Sequence, residues 1–224
     1  RAGGLVGQMY LGNITRSSAS GTVDAPDATH VGGLVGYADA TEPEPQGGGQ
    51  RPIPVGRTIR ESYATGDVTG NESVGGLVGT TRNETVVHSY AVGNVTGDTA
   101  VGGLVGTHTG ANANVTEVYA AGTVSEGTDA GGLIGTPQES PAVESAYWDT
   151  ETTAQSSSVV GTGLTTSQLK ANESLDGFDF QHTWDVVANE THSSYPHLLN
   201  NTQSPAPGLA TRLSVYTVEA RDST

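Results

Sequence analysis

Val74-Gly-Gly-Leu-Val-Gly79 and Ser62-Tyr-Ala-Thr-Gly-Asp-Val68 decide how this chain folds, because both phrases recur. The first returns as Ala2 to Gly7, Val31 to Gly36, Val101 to Gly106 and Ala130 to Gly135. The second returns as Ser89 to Val95 and Val118 to Val124, with a tyrosine-less form at Ser17 to Val23. The leading glycines, Gly3, Gly32, Gly75, Gly102 and Gly131, stand 29, 43, 27 and 29 residues apart. Self-similarity at such a period marks a stacked array, in which no repeat buries its apolar face alone.

Working outward, each repeat reads as β by its alternation. Ser62, Ala64, Gly66 and Val68 share one face of the second phrase, and Tyr63, Thr65, Asp67 and Thr69 the other. The small face should point inward. An aliphatic residue stands four positions before each tyrosine slot: Ile14, Ile59, Val86, Val115 and Val143. It breaks the parity of the inward set, which predicts a corner between it and the tyrosine strand. Leu5, Leu34, Leu77, Leu104 and Leu133 should form a leucine ladder flanked by glycines that permit tight corners. The expected fold is all-β, a β-solenoid (β-helix-like) of four to five coils of about 28 residues, each with three short strands and three turns. At ~4.8 Å per coil the array would be about 20 Å long.

The two phrases together resemble the GLUG motif of large bacterial and archaeal surface proteins and adhesins. Ala146-Tyr-Trp-Asp149, Gly161 to Leu169 and Gly177-Phe-Asp-Phe180 to Tyr195-Pro196 are similar to the end piece that often closes such arrays. The resemblance covers roughly residues 2–199 and implies an architecture. It implies no reaction, because that family is defined by its repeats.

Composition agrees with an array. Only 34% of the 224 residues are hydrophobic and 32 are glycine, too few large apolar side chains for an ordinary globular core to offset its ordering entropy. A solenoid needs only a narrow inward stripe. The formal charge is −15, from 24 acidic and 9 basic side chains, and Lys170 is the single lysine. Such a balance suits a protein in concentrated salt, where screening removes self-repulsion; an ordinary acidic secreted protein is the alternative. It argues against nucleic acid as a partner, since phosphate contacts need a basic face. There is no cysteine, hence no disulfide frame and no thiolate chemistry. No run reaches the 18 or so apolar residues of a membrane span. With Arg1 leading straight into a repeat, the chain reads as a mature or trimmed fragment.

Asparagine usage points to export. Asn13, Asn71, Asn83, Asn94, Asn114, Asn172, Asn189 and Asn200 each open an Asn-x-Ser/Thr sequon, eight of ten asparagines. With Ser and Thr at 49 of 224 positions, chance would place about two of ten in sequons. The excess predicts N-glycosylation and an extracellular or cell-surface location. Asn94 is expected on the polar face of its strand, and Asn71, Asn83 and Asn114 in turns.

Three regions are expected: a repeat array over 1–145, a small α/β C-terminal cap over 146–202, and a linker with an orphan strand over 203–224. Within the array, 38–57 is a Pro- and Gly-rich inserted loop, which could carry binding or be merely tolerated. Thr165 to Leu175 reads as a short helix with a threonine N-cap. Phe178, Phe180, Trp184 and Tyr195 should cover the last, otherwise exposed, coil edge. The orphan strand Leu213 to Glu219 is expected to pair with another surface protein or another copy of the chain by strand addition.

Catalytic chemistry is not indicated. Asp67, Asp98, Asp149, Glu151, Asp176 and Asp179 offer pairs only in loops or the cap; Asp149 and Glu151 form a plausible acid pair beside an aromatic, which more simply is a cap turn with solvated carboxylates. His30, His88, His108, His182, His192 and His197 show no metal-ligand spacing, although His88 and His108 could approach across adjacent coils. Serine has no nucleophile elbow, and the Gly-Gly phrases do not open helices, so they cradle no phosphate. No cofactor is expected. Tyr63, Tyr90 and Tyr119 share one outward slot, either a candidate strip for sugar faces or protein, or an internal stack of coil on coil. The expected function is therefore an extracellular, N-glycosylated structural or adhesive protein acting as a rigid scaffold, of haloarchaeal type. The rivals are a carbohydrate-binding or polysaccharide-degrading β-helix module and a viral fibre or spike component.

Overall fold

The computed structural model describes residues 1–41, 57–110, 114–125, 127–138, 142–188, 193–201, 203, 204 and 206–208. Most of the expected inserted loop and all of the orphan strand lie outside the described residues. The flank of that loop is described, and Ala38 and Asp39 belong to a strand, Val35–Asp39, so the ladder runs further than expected before the insertion begins.

Equivalent strands of successive repeats pair parallel and in register. Ala2–Gly3, Thr29–Gly32, Glu72–Gly75 and Thr99–Gly102 form a first sheet, with Val31, Val74 and Val101 on one row. Val6–Tyr10, Val35–Asp39, Val78–Arg82, Val105–Thr109 and Ile134–Pro137 form a second. A third contains Ile14–Thr15, Thr58–Arg60, Thr85–Ala91, Asn114–Ala120, Ala142–Asp149 and Thr162–Leu164, and aligns Ile59, Val86, Val115 and Val143. A fourth contains Val23–Asp24, Val68–Thr69 and Val95–Thr96. The chain is thus mostly β with parallel sheets, an arrangement consistent with a β-helix-like fold.

The inward stripes are where the alternation put them. Leu34, Leu77, Leu104 and Leu133 are fully buried, together with Ile59, Val86 and Val115 and the alanines Ala64, Ala91 and Ala120. A second stripe joins Val31, Val74 and Val101 to Val68, Val95 and Val124. Leu5, at the edge of the ladder, is 51% exposed. The glycines explain why the two phrases travel together. A Cβ on Gly33, Gly76 or Gly103 would run into the carbonyl oxygen of the next repeat's Gly-Gly pair, and would stand 2.8–2.9 Å from the Cβ of Ala64, Ala91 or Ala120. Gly-Gly and Ser-Tyr-Ala are two sides of one contact.

The last rung departs from the pattern. In the register of Ala120 stands Trp148, whose ring lies over Gly132 and whose indole N–H donates to the Gln155 carbonyl at 3.1 Å. One large side chain closes the core where the alanine column ends.

The predicted corner before each tyrosine strand is present, and it is sharper than parity alone implied. Arg16, Glu61, His88, Glu117 and Ser145 occupy it with φ between 46° and 50°. Left-handed backbone at non-glycine residues is uncommon and costs roughly 1–2 kcal/mol each. Here it lets an inward aliphatic and an outward tyrosine sit on one short strand.

The C-terminal segment corrects two expectations. The helix is only Thr166–Leu169, closed by a capping box at Thr165, and a 3-10 turn Asn172–Ser174 follows. Leu169 and Leu175 are both buried in one aromatic cluster, a spacing of six that no continuous helix face provides. The aromatic residues do not lie across the last coil edge. They run back along the flank: Phe178, Trp184, Tyr195 and Leu198 pack on Tyr63, Tyr90 and Tyr119, and the Asn201 amide donates to the Ser17 and Glu61 carbonyls.

Candidate functional site

Where the first and second sheets meet, the Gly-Gly-Leu-Val phrase bends the chain and leaves a groove of about 430 Å³ on the outer side. Its walls come from four successive repeats: His30 and Tyr37, then Glu72, Thr80 and Arg82, then Thr107 and Thr109, then Gln138. Left-handed φ at His30 and Ser73, 57° and 52°, helps set the edge residues of the first sheet. His30 Nδ1 meets Thr80 Oγ1 at 2.7 Å, and Ser73 Oγ meets Thr107 Oγ1 at 2.9 Å, so hydroxyls tie each repeat to the next along the floor. The His30 and Tyr37 rings lie 5.1 Å apart and tilted. Burial, helped by Arg1 and opposed by Glu72, holds the His30 pKa below its ordinary value, which favours the uncharged imidazole. Sequence reading missed this groove because its lining changes chemistry from repeat to repeat.

The tyrosine strip needs a correction. Tyr63, Tyr90 and Tyr119 do stack, with ring centroids 5.0 Å apart and planes within 6°. They are not outward to solvent, because the C-terminal segment covers them and leaves Tyr90 and Tyr119 with no exposure. Each buried hydroxyl is satisfied by that segment: Tyr90 donates to Gln203 Oε1 at 3.0 Å and Tyr119 to the Pro196 carbonyl at 2.6 Å. Burial drives both phenol pKa values far above the ordinary 10. Of the two readings of the strip, the geometry is that of internal stacking.

Asp149 is likewise not a solvated carboxylate. It is fully buried: Oδ1 accepts from the Glu151 and Thr152 amides at 2.9 and 3.1 Å, and Oδ2 from the Thr166 and Tyr195 hydroxyls at 2.7 and 2.6 Å. Glu151 accepts from the Thr166 amide. Four donors occupy Asp149, which ties the segment's turn, helix and aromatic strand together.

The histidines have separate partners. His88 Nε2 contacts Glu117 Oε1 at 3.1 Å, and Glu117 Oε2 accepts from the Asp179 amide and the Trp184 indole. His108 is buried and bonded to Thr81. His182 pairs with Asp179 at the surface, and His197 is buried near Asp185. His192 lies outside the described residues. Among the described residues no three His, Asp or Glu side chains converge as a metal site.

Of the sequon asparagines, Asn13, Asn71, Asn94, Asn114, Asn172 and Asn200 are exposed, Asn83 is half-buried at the groove, and Asn189 lies outside the described residues. Asn114 opens a strand and Asn94 sits in the turn before one, the reverse of the expected placement. Asn94 Oδ1 accepts the Thr123 amide at 3.0 Å, which fixes the side chain to the next repeat.

Glu84 is the most unusual charged side chain. It is fully buried and neither carboxyl oxygen has a hydrogen-bond partner; burial raises its pKa from 4.5 to about 7, with Arg57 opposing and Asp39 reinforcing the shift.

With this geometry in hand, comparison with known proteins gives one match. The model of the GLUG motif matches residues 1–24. The chain therefore carries a GLUG repeat at the start of the array, and Ala2 and Gly3 of that repeat pair in register with Val31 and Gly32 of the next. No curated protein and no solved structure matches. No helix among the described residues is long and apolar enough to cross a membrane.

Proposed function

We propose that this chain is part of an exported, N-glycosylated surface protein whose role is structural or adhesive and not enzymatic. Its array is a β-solenoid of four to five GLUG-type coils with the C-terminal segment strapped along one flank, a stiff unit that holds loops and glycans at fixed spacing. The observation that carries the reading is the row-on-row register of the sheets, with core residues repeating inside and six of the sequon asparagines exposed outside. Catalysis needs unlike groups brought together, whereas Asp149, a buried carboxylate beside an aromatic, is consumed by structural donors. Its partners would be other surface proteins or further copies of itself, and its source a salt-loving archaeon, as the single lysine and −15 charge fit.

Glycopeptide mass spectrometry of the native protein tests the reading. Several of Asn13, Asn71, Asn94, Asn114, Asn172 and Asn200 should carry glycans, and finding all of them bare would remove the argument for export. Thermal melts should move upward as KCl is raised well past the ~0.1 M at which the Debye length is about 10 Å.

A further inference from the structure

Folding explains only the floor of the groove between the first and second sheets, where the His30–Thr80 and Ser73–Thr107 bonds tie repeats together. Its residues face outward, and their identities are not those of the stripes that hold the array together. Among the described residues no hydrogen bond engages the side chains of Glu72 and Gln138, although both line it. A polar lining of hydroxyls, a carboxylate, a guanidinium and the two amides of Asn83 and Gln138 does not suit an apolar ligand, which seeks a mostly hydrophobic cleft. It does suit a ligand with many hydroxyl groups, because carboxylate, guanidinium and amide planes each bond two adjacent hydroxyls at once.

Length and charge narrow the class. The lining runs from Tyr37 on Val35–Asp39 across Val78–Arg82 and Val105–Thr109 to Gln138, the residue that follows Ile134–Pro137, hence three strand spacings of ~4.8 Å, or about 14 Å. That rung spacing is close to the advance per residue of an extended pyranose chain, so an oligosaccharide lying across the strands would meet a new rung with each sugar. Arg82 and Glu72 balance in charge, and burial favours the uncharged form of His30. The surrounding molecule is strongly acidic and repels polyanions.

We infer that this groove is a binding site for an extended neutral oligosaccharide, with Glu72, Arg82 and Gln138 bonding sugar hydroxyls and the hydroxyl row Thr80–Thr107 supporting the chain from below. The inference rests on the adhesive half of the function proposed above and gives it a ligand class; the scaffold half stands without it.

The experiment is calorimetric titration of the whole chain with cellohexaose, mannohexaose, maltohexaose and chitohexaose, and with oligogalacturonate as the polyanionic counterpart. At least one neutral chain should bind, and the double variant Glu72→Ala, Arg82→Ala should weaken it about tenfold or more. Glu173→Ala, on an exposed turn of the flank segment, should leave it unchanged. Thermal melts of each variant verify folding; if the double variant is unfolded, Gln138→Ala, at the groove's end, takes its place with the same expected direction. No binding at millimolar concentration by folded wild-type protein would overturn the site, as would binding indifferent to the groove variants. Preference for oligogalacturonate would overturn the neutral class. Bare sequons in the glycopeptide experiment count against export and leave this result untouched.

Discussion

Two columns of identical residues run along this molecule, and they are buried by different things. Leu34, Leu77, Leu104 and Leu133 are covered by their own and neighbouring repeats, in a core they share with Ile59, Val86 and Val115. Tyr63, Tyr90 and Tyr119 have the same period but lie outside that core, and Phe178, Trp184, Tyr195 and Leu198 cover them from a segment with no repeat at all. The first column makes the array; the second gives the array one flank on which a non-repeating strap can dock. Periodicity alone therefore identifies a ladder without saying which side of the wall it is on.

The largest effect should come from the inner column. Leu104→Asp places a charge with no partner among fully buried aliphatics and should destabilise by more than about 4 kcal/mol, abolishing both the far-ultraviolet β signal and the native tryptophan emission. Thr96→Asp, on an exposed strand end, should stay within about 0.5 kcal/mol of wild type. A folded Leu104→Asp protein would mean that the leucine column is not what holds the strands.

Next in size is the outer column. Tyr119→Ala should cost about 3–5 kcal/mol of packing, but only in the docking of the strap. Trp184, fully buried against Tyr90 and Tyr119, reports on it directly once Trp148 in the array core is replaced by Phe: its emission should shift red while the β signal of the array persists. Tyr119→Phe keeps the ring and leaves the Pro196 carbonyl unpaired, so a loss of about 1–3 kcal/mol in the same transition is expected. Simultaneous loss of both signals in Tyr119→Ala would break the distinction between the columns.

The same contrast explains what was legible in the sequence. The leucine, valine and alanine stripes follow from spacing, because their partners are the same residues one repeat away. The corner before each tyrosine strand was also legible as a break of parity. Its occupants, Arg16, Glu61, His88, Glu117 and Ser145, share a backbone conformation and no chemistry, so no pattern marked them. The flank strap was legible as aromatic bulk but not in position, since its contacts, Tyr119 to Pro196 and Asn201 to Ser17, join the array to a segment that carries no repeat. The groove left no signal for a related reason: its residues are the outward ones, free to differ between repeats.

The smallest effect concerns Glu84, which belongs to the array and not to the strap. Its buried carboxyl keeps a proton up to about pH 7, whereas in the unfolded chain it loses that proton near 4.5. The folded state therefore binds the extra proton between these values, and the contribution to stability is present below 4.5, falls as pH rises towards 7, and is flat beyond. His30 and His197, lowered by burial, act in the opposite sense below 6.5, so the net curve mixes the two. A variant separates them. Glu84→Gln should gain on wild type between pH 5 and pH 8, by a few degrees in the melting temperature of the β signal. The Trp184 transition at low denaturant should be the same in both proteins at both pH values, because the strap does not touch Glu84's shift. If the gain appears instead in Trp184 emission, read in the Trp148→Phe background, array and strap are one cooperative unit, and the two columns differ in address but not in what depends on them.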